Sequence, residues 1–241
     1  MARSTSSQAN DAHPTTLTLF QRDWRIYRTM VDENYLFHRE AYACLHEVLA
    51  DPARGPFRFL DVACGDAASS AVALKGTQVA SYHGIDLSAE ALALAKRALG
   101  GLVCPVTLEQ GDFVEVLRRR TDVVDAVWIG LSLHHLRYPG KEDVLRSVRR
   151  FLAPSGLLVV YENTSPDGED RNGWLARWDR QRPTWTAYSD EEWETLNAHV
   201  HSADYPETCS DWRRLGEAVG FLEVRELFVA PNNLFRMFSF Q

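Results

Sequence analysis

The spacing of hydrophobic positions changes near residue 56 of this chain. Before it, apolar and aromatic residues recur every three or four positions between residues 20 and 50, which predicts two amphipathic helices. After it, short continuous apolar runs alternate with helical stretches. This alternation predicts parallel βαβ units with right-handed crossovers, and continuous apolar runs are typical of strands covered on both faces.

The alternating region predicts five strands separated by helices. The predicted strands are residues 57–63, 79–85, 103–108, 123–129 and 156–161. The predicted helices are residues 67–75, 89–99, 113–119 and 141–152. No internal repeat interrupts the pattern, so we expect one α/β sheet.

The last part of the chain departs from this alternation. After a predicted helix at residues 210–219, strands at 221–229 and 233–240 are joined by only Ala230, Pro231 and Asn232. Such a short connection predicts an antiparallel hairpin. Residues 163–206 hold four tryptophans and are too long for a plain loop, so we predict a helical insertion. Its aromatic residues could form a small core of the insertion or an aromatic wall for a substrate.

Composition narrows the class of protein. The 241 residues are 45% hydrophobic and 24% charged, which is typical of a globular protein and excludes a disordered chain. Lys and Arg number 26 against 33 Asp and Glu, a formal charge of −7, which disfavours nucleic acid as a partner. The four cysteines lie far apart without C-x-x-C spacing, which indicates neither a disulfide framework nor a zinc site and favours a reducing, cytoplasmic setting.

The N-terminal residues predict a tail followed by a lid. Residues 1–16 are rich in Ser and Thr and lack an apolar core, so we expect a disordered tail rather than a secretory signal, with an organelle transit peptide as the alternative. Residues 17–56 are predicted to form a helical lid, and residues 57–241 the main domain. No apolar run is long enough to predict a membrane span.

The strongest local motif is a strand that ends in a small-residue turn and continues into a helix, residues 59–67. Ligands of open α/β sheets bind beyond the carboxyl ends of the strands, and Gly65 lets the backbone approach a ligand closely. The dinucleotide pattern G-x-G-x-x-G is absent, and Asp66 would repel a pyrophosphate. The turn therefore predicts a nucleoside-like ligand without phosphates, which disfavours a nicotinamide dehydrogenase.

Two further aspartates end the next two predicted strands. Asp86 follows Gly65 by 21 residues, the separation at which a carboxylate accepts both ribose hydroxyls. Asp112 could accept the amine of adenine while Phe113 offers a ring face. Helix capping is the alternative for both aspartates, although Ser88 could cap the helix after Asp86 without it.

These motifs together resemble the class I S-adenosylmethionine-dependent methyltransferases. The residues that carry the resemblance are 61–67, Asp86, 111–113 and 125–130, with Ala63 where the family commonly has a first glycine. The resemblance covers about residues 57–241. It implies a Rossmann-like seven-stranded sheet of order 3-2-1-4-5-7-6 with strand seven antiparallel. It also implies S-adenosylmethionine as the cofactor.

The resemblance assigns the cofactor roles residue by residue. Asp61 would order the turn or accept the methionine ammonium, Gly65 would lie under the methionine part, Asp86 would bind ribose and Asp112 adenine. The full predicted cofactor set is Tyr27, Arg39, Asp61, Ala63, Cys64, Gly65, Asp66, Asp86, Leu87, Asp112, Phe113 and Gly130.

The predicted catalytic residues are His135, Glu162 and Tyr35. His135 lies in the segment after the fourth strand, where a neutral imidazole could act as a general base or support the cofactor loop. Glu162 ends the fifth strand and is expected to face the same crevice, where it could accept a proton from an amine acceptor; the alternative is that it bonds backbone amides. No metal site is expected, because the His134–His135 pair lacks a third ligand at recognisable spacing.

Helical spacing also relates three residues of the predicted lid. Tyr35, His38 and Arg39 would share one helical face, from which the Arg39 guanidinium could reach the cofactor carboxylate. The alternative for Arg39 is a surface ion pair with Glu40 or Asp32.

The expected function is methyl transfer to a nitrogen or oxygen of a small-molecule acceptor in the cytoplasm. The alternatives are a protein or RNA methyltransferase and a catalytically silent subunit of the same fold.

Overall fold

The computed structural model describes residues 24–241. The predicted tail at residues 1–16 and the start of the predicted lid lie outside these residues. A continuous sheet and helices on both of its faces make up the described part of the chain.

The sheet has the order β3-β2-β1-β4-β5-β8-β7. Its strands are β1 (Phe57–Val62), β2 (Val79–Asp86), β3 (Val106–Gln110), β4 (Val124–Gly130), β5 (Leu152–Ser165), β7 (Val224–Val229) and β8 (Phe235–Phe240). The two-residue β6 (Glu207–Thr208) pairs with the end of β5 outside this order. With β6 left out of the count, the order is the predicted one, and the Rossmann-like α/β fold is confirmed.

Nine α-helices accompany the sheet in the described part of the chain. They are α1 (Trp24–Asp32), α2 (His38–Leu49), α3 (Ala68–Leu74), α4 (Ala89–Ala98), α5 (Phe113–Arg119), α6 (Tyr138–Phe151), α7 (Arg171–Asp179), α8 (Asp190–Ala203) and α9 (Cys209–Ala218).

Each strand buries side chains on both faces of the sheet. On β1, Phe59 packs with α2 and α3, whereas Leu60 packs with α5, α6 and α9. This two-sided burial is the reason that the central strands read as continuous apolar runs rather than as an alternating pattern.

The predicted terminal hairpin is confirmed. β8 runs antiparallel to both β5 and β7, with Phe238 opposite Val160 of β5. β5 extends to Ser165, past the predicted end at residue 161, because β8 pairs with it as far as Asn163 and β6 pairs with Ser165. Strand β3 begins at Val106 rather than at residue 103, since Pro105 stands just before it and Val103 is exposed.

The tryptophans of residues 163–206 form the core of that segment. Its side chains Trp174, Trp178, Trp185, Tyr188 and Trp193 are all buried. Trp178 stacks on both Trp174 and Trp193 at centroid distances of 5.8 Å. Of the two interpretations of these aromatic residues, the structure favours the insertion's own core.

This aromatic cluster also contacts the N-terminal helices. The ring of Tyr35 stacks on Trp185 at 4.7 Å, and its hydroxyl accepts a hydrogen bond from the Ala187 amide at 2.9 Å. The Tyr188 hydroxyl donates to the Ile26 carbonyl at 2.6 Å. The predicted lid and the predicted insertion are therefore joined in one layer.

The predicted helical face of Tyr35, His38 and Arg39 is wrong. The chain turns between α1 and α2, and Phe37, at the start of α2, has a left-handed φ of 54°. Tyr35 therefore precedes α2, and helical spacing does not relate it to the other two residues.

Candidate functional site

The turn after β1 holds an uncommon backbone. Ala63, Gly65 and Ala67 have φ values of 55°, 55° and 53°. Glycine adopts this left-handed region freely, but the alanines are strained in it. The turn is held by the Cys64 amide, which donates to the Ile85 carbonyl, and by the Ala67 amide, which donates to the Cys64 carbonyl, both at 2.9 Å. Strained backbone that the surrounding structure holds in place is a feature of ligand sites.

The Asp86 carboxylate connects the end of β2 to this turn. Its Oδ2 accepts from the Gly65 amide and its Oδ1 from the Ser88 amide, both at 2.8 Å. Ser88 caps α4, because its hydroxyl accepts from the Ala91 amide at 3.1 Å. The helix cap is therefore supplied without Asp86, and the carboxylate is held at the carboxyl edge of the sheet with acceptor capacity left for a ligand.

Asp61 is buried next to the turn. The Tyr82 hydroxyl donates to its Oδ2 at 2.6 Å. Burial raises the pKa of Asp61 to about 6, although the hydrogen bond from Tyr82 acts in the opposite direction. Such a carboxylate gains from a cationic neighbour, because a positive charge favours its ionised form.

Tyr27 brings α1 onto the turn. A Cβ at Gly65 would lie 3.8 Å from the Tyr27 hydroxyl oxygen. Burial, followed by the charges of Asp66, Asp86 and Asp61, raises the pKa of this hydroxyl above its ordinary value. The tyrosine, the glycine turn and three carboxylates therefore share one electrostatic environment, and its negative potential suits a cationic ligand.

Asp112 is the N-cap of α5, whereas Asp66 lies one residue before the N-cap of α3 and bonds the first amide of that helix. The Asp66 Oδ1 accepts from the Ala68 amide at 3.1 Å, and the Asp112 Oδ1 accepts from the Val114 amide at 2.8 Å. The capping interpretation of Asp112 is what the structure shows, and its role toward adenine remains a prediction for the other oxygen. Phe113, which follows it, is partly buried.

Leu87 and Gly130 end strands at the same edge of the sheet. Leu87 is 41% exposed, so its apolar side chain is accessible at this edge. At Gly130, a Cβ would lie only 2.9 Å from the Trp128 ring, so packing explains the glycine. The cofactor roles of Leu87, Gly130 and the buried Cys64 remain predictions.

Arg39 and Tyr35 lie among the N-terminal helices. Arg39 is exposed, and its guanidinium donates to the Asp32 carbonyl oxygen at 2.7 Å. This bond reaches the backbone of Asp32 rather than its carboxylate, so it is not the ion pair of the alternative interpretation. Tyr35 binds the insertion as described above, and the roles of both residues toward a ligand remain predictions.

Glu162 does not face the crevice, which corrects its predicted position. The alternation of side chains along β5 places it with Leu158 and Val160, and it is fully buried. Its Oε1 accepts from the amides of Ser132 and Leu133 at 2.6 and 2.5 Å, and its Oε2 from His134 Nδ1 at 2.7 Å. Of the two interpretations, the structure shows the one in which Glu162 bonds backbone amides. Through these bonds Glu162 positions the segment after β4.

That segment brings two histidines against Asp204, which follows α8. His134 Nε2 lies 3.9 Å and His135 Nδ1 lies 3.6 Å from the Asp204 Oδ1 atom. Burial raises the pKa of Asp204 to about 6. The pKa of His134 lies above its ordinary value, because the nearby carboxylates of Asp204 and Glu162 outweigh its burial.

The tertiary structure therefore brings a third candidate partner, Asp204, to the histidine pair, although sequence spacing offered none. Asp204 lies far along the chain, at the end of the insertion, and no local spacing could reveal it. The pKa of His135 lies well below the ordinary value because of burial and the charges of His134 and His199. A low pKa makes His135 a poor proton acceptor near neutral pH.

Two surface clefts lie elsewhere. They have volumes of about 300 and 170 Å³ and share the lining residues His83, Arg120 and Asp122. Neither is lined by a residue of the predicted cofactor set. No helix in the described part of the chain is long and apolar enough to cross a membrane.

A comparison with protein families matches residues 59–156 to a family described as "Methyltransferase domain". This match spans the glycine turn, Asp86, Asp112 and the two histidines. No curated protein sequence matches the chain.

Solved methyltransferase structures share the fold. DhpI, solved in a complex with SAH, is 17% identical, with a TM-score of 0.60 over 96% of this chain and 95% of DhpI. The plantazolicin methyltransferase BamL, in complex with a triazolic desmethylPZN analog and SAH, is 16% identical, with a TM-score of 0.57 over 97% of this chain and 93% of BamL.

A third similar structure is longer than this chain. It is a putative O-methyltransferase from Nostoc punctiforme PCC 73102, 17% identical, with a TM-score of 0.59 over 83% of this chain. The match covers 55% of the Nostoc protein and 54% of the chain of the pyocyanin biosynthetic protein PhzM. This chain therefore spans about half the length of these two proteins.

Proposed function

We propose that this chain, which carries a methyltransferase domain of the class I S-adenosylmethionine-dependent kind, moves a methyl group to a nitrogen or oxygen of a small-molecule acceptor. The fold and the family match confirm the predicted class, and S-adenosylmethionine is the cofactor to which that class points. The acceptor, its size and the cytoplasmic setting belong to the proposal.

One observation carries the proposal. The strained turn at Gly65, the Asp86 carboxylate bonded to the Gly65 amide and the buried Asp61 lie together at the carboxyl edge of the sheet. A glycine-lined backbone admits the methionine part, Asp86 has acceptor sites for the ribose hydroxyls, and the carboxylates complement a sulfonium and an ammonium. The residues present therefore fit this cofactor.

The adenine end of the cofactor has matching groups on the next strand. Asp112 uses one oxygen as a helix cap, which leaves the other as an acceptor for the exocyclic amine. Leu87 presents an exposed apolar side chain after Asp86, and Phe113 lies beside Asp112. These apolar groups would contact the faces of the ring.

The cofactor supplies an electrophilic methyl group, and the protein mainly has to align the acceptor with it and exclude water. Charge is dispersed rather than created in such an in-line displacement, so alignment in a dry pocket provides much of the acceleration. Tyr35 and Tyr27 lie in the N-terminal layer that would close over the pocket. Neither Glu162, which is fully bonded, nor His135, with its low pKa, supports a general base.

A small acceptor fits this arrangement better than a macromolecule. The chain is acidic, and the N-terminal helices are bonded to the insertion through Tyr35 and Tyr188, which forms a cover rather than an open basic groove. DhpI and BamL match this chain over nearly their full length, and BamL was solved in complex with a triazolic desmethylPZN analog and SAH.

Calorimetry with S-adenosylmethionine tests the cofactor assignment. Asp86→Ala and Asp86→Asn should each weaken binding at least about tenfold, because hydrogen bonds to a charged group are worth about 1.5–3 kcal/mol each. Asp143→Asn, a change of an exposed carboxylate on α6, is the matched control and should bind like the wild type. Absence of binding by the wild type, or equal binding by the Asp86 variants, would sink the assignment.

A screen of metabolite amines, phenols and carboxylic acids for release of S-adenosylhomocysteine tests the acceptor class. Turnover with a small acceptor supports the proposal. Turnover with RNA or protein alone would replace it with the macromolecular alternative, and cofactor binding without turnover on any class would favour a catalytically silent subunit.

A further inference from the structure

We propose that His134, His135 and Asp204 form a binding site for one divalent transition-metal ion of the Zn²⁺ class. His134 and Asp204 are 8% and 4% exposed, and the side chain of His135 is 19% exposed. The candidate ligand atoms of the three residues all lie within 4.8 Å of one another. The site is separate from the cofactor residues at the Gly65 turn, and its existence does not depend on methyl transfer.

The distances within the cluster fit a shared ion better than hydrogen bonds. Asp204 Oδ1 lies 3.6 Å from His135 Nδ1 and 3.9 Å from His134 Nε2, which is beyond hydrogen-bond range. Ligand atoms at about 2.1 Å from a tetrahedral ion are about 3.4 Å apart. Small side-chain rotations would bring the three atoms to that spacing.

Asp204 Oδ1 is the second observation that points to a ligand. It is buried and makes no hydrogen bond within the described residues. The other oxygen, Oδ2, accepts from Asn163 Nδ2 at 2.8 Å, which orients the carboxylate. A buried carboxylate oxygen aimed at two imidazoles and left without a donor is costly unless a cation completes it.

An outer shell already orients the first histidine. Glu162 Oε2 lies 2.7 Å from His134 Nδ1, so Nδ1 would donate to the ionised carboxylate and an unprotonated Nε2 would direct its lone pair toward Asp204. Metal-binding histidines in proteins are oriented in this way by a carboxylate on their second nitrogen. Glu162 is therefore a positioning residue for the site rather than a ligand.

The charges around the cluster leave room for a cation. The carboxylates of Glu162, Asp204 and Glu207 are buried or nearly so. Lys141 forms an ion pair with Glu207 at 2.7 Å, and Arg171 donates to the Asp204 carbonyl oxygen at 2.6 Å. A divalent ion or a proton on His134 would balance the remaining negative charge, and the experiment must separate these two.

Two nitrogens and one carboxylate oxygen form the donor set of open zinc and other transition-metal sites rather than of calcium sites. An ion held here would tie the segment after β4 to the end of α8. It would therefore couple the sheet to the insertion that contacts the N-terminal helices.

The test uses the full chain without a polyhistidine tag, stripped with chelator. Calorimetric titration with ZnCl₂ should show one ion per chain, and the ion should raise the melting temperature. Asp204→Asn and His135→Gln should each weaken binding by at least about 10-fold, because loss of a ligand costs no less than loss of an outer-shell partner. His201→Gln, which removes an exposed histidine paired with Asp179 at 2.8 Å, should bind like the wild type.

Circular dichroism and S-adenosylmethionine binding establish that each variant is folded. Should both ligand variants fail to fold, anomalous diffraction from a Zn²⁺-soaked wild-type crystal replaces them, with a peak expected between the three side chains. Absence of a stoichiometric site, an unchanged affinity in folded Asp204→Asn, loss of binding in His201→Gln, or a peak elsewhere would overturn the proposal. The cluster would then be a protonated histidine held by carboxylates.

Discussion

Two alanines in the turn after β1 occupy a backbone region that L-residues avoid. Ala63 has a φ of 55° at the position where the family resemblance leads to a glycine. The structure thus keeps the glycine-like conformation without the glycine. The strain must be offset by the contacts that hold the turn, among them the Asp86 bond to the Gly65 amide.

Ala63→Gly should therefore stabilise the protein. Glycine adopts the left-handed conformation without strain, but it also loses more chain entropy on folding. The net effect should raise the free energy of unfolding by about 0.5–1 kcal/mol. Ala93→Gly makes the same chemical change at an exposed position inside α4, where it should lower the free energy by about 1 kcal/mol. Chemical denaturation measures the change in the free energy of unfolding of each variant. Changes of the same sign in Ala63→Gly and Ala93→Gly would contradict the explanation.

Asp61 gives the protein a pH dependence of known sign. Its pKa is raised to about 6 in the folded chain by burial, above about 3.9 in an unfolded chain. The folded state then holds this proton more tightly, so the contribution to stability is complete below about pH 4 and is lost as the pH rises to about 6. Between about pH 4 and pH 6 the wild type should lose about 2–3 kcal/mol of its free energy of unfolding through Asp61, since each pKa unit is worth about 1.4 kcal/mol. Asp61→Asn should not show this loss.

Denaturation of wild type and Asp61→Asn between pH 4 and 7 measures the difference. Comparison of the two curves cancels other groups that titrate there, among them Asp204. Saturating S-adenosylmethionine should flatten the wild-type curve, because its ammonium would stabilise the ionised Asp61. Parallel curves for the two proteins would show that Asp61 is not the group that titrates.

At the scale of elements, the main finding is how the two additions to the sheet meet. The N-terminal helices and the helices of residues 163–206 share the Tyr35–Trp185 stack and the bond from Tyr188 to the Ile26 carbonyl. The aromatic residues of the insertion are buried in this layer rather than arranged around an open pocket. A substitution that loosens one of these two additions should therefore also loosen the other.

Tyr188→Phe should loosen α1 without disturbing the sheet. The change removes a buried hydroxyl donor, which should lower the free energy of unfolding by about 1 kcal/mol. Amide exchange should accelerate in α1, whose Ile26 carbonyl loses its bond from the Tyr188 hydroxyl, and stay unchanged in β4 and β5. Tyr205→Phe, which removes a hydroxyl that accepts from Arg137 near the surface, is the control. Uniform acceleration across the chain would mean that the contact is not local.

At the scale of the whole molecule, length and charge now have structural explanations. The sheet and its covering helices account for most of the region from Phe57 onward, and the insertion at residues 163–206 forms a further layer together with the N-terminal helices. Part of the excess negative charge lies at two places, near the Gly65 turn and around Glu162 and Asp204. Both places suit cations, a charged cofactor at the first and the proposed metal ion at the second.

The sequence by itself determined the alternating strands and helices, the terminal hairpin, the glycine turn, and the aspartates of the turn and of the next two strands, whereas the sheet order followed from the family resemblance. These features depend on local signals: runs of apolar residues, a connection too short for a crossover, and residues adjacent to strand ends. Spacing failed at Tyr35, where two left-handed residues, Asn34 and Phe37, interrupt the helix that the pattern implied.

Only the tertiary structure decided to which face of the sheet Glu162 points and which residue lies beside the two histidines. The side of the sheet to which Glu162 points depends on the pleat of β5 between β4 and β8, and strands buried on both faces show no alternation that could reveal it. Asp204 reaches His134 and His135 because the insertion folds back over the segment after β4. Such a contact between distant parts of the chain leaves no spacing in the sequence, since it arises from packing rather than from local periodicity.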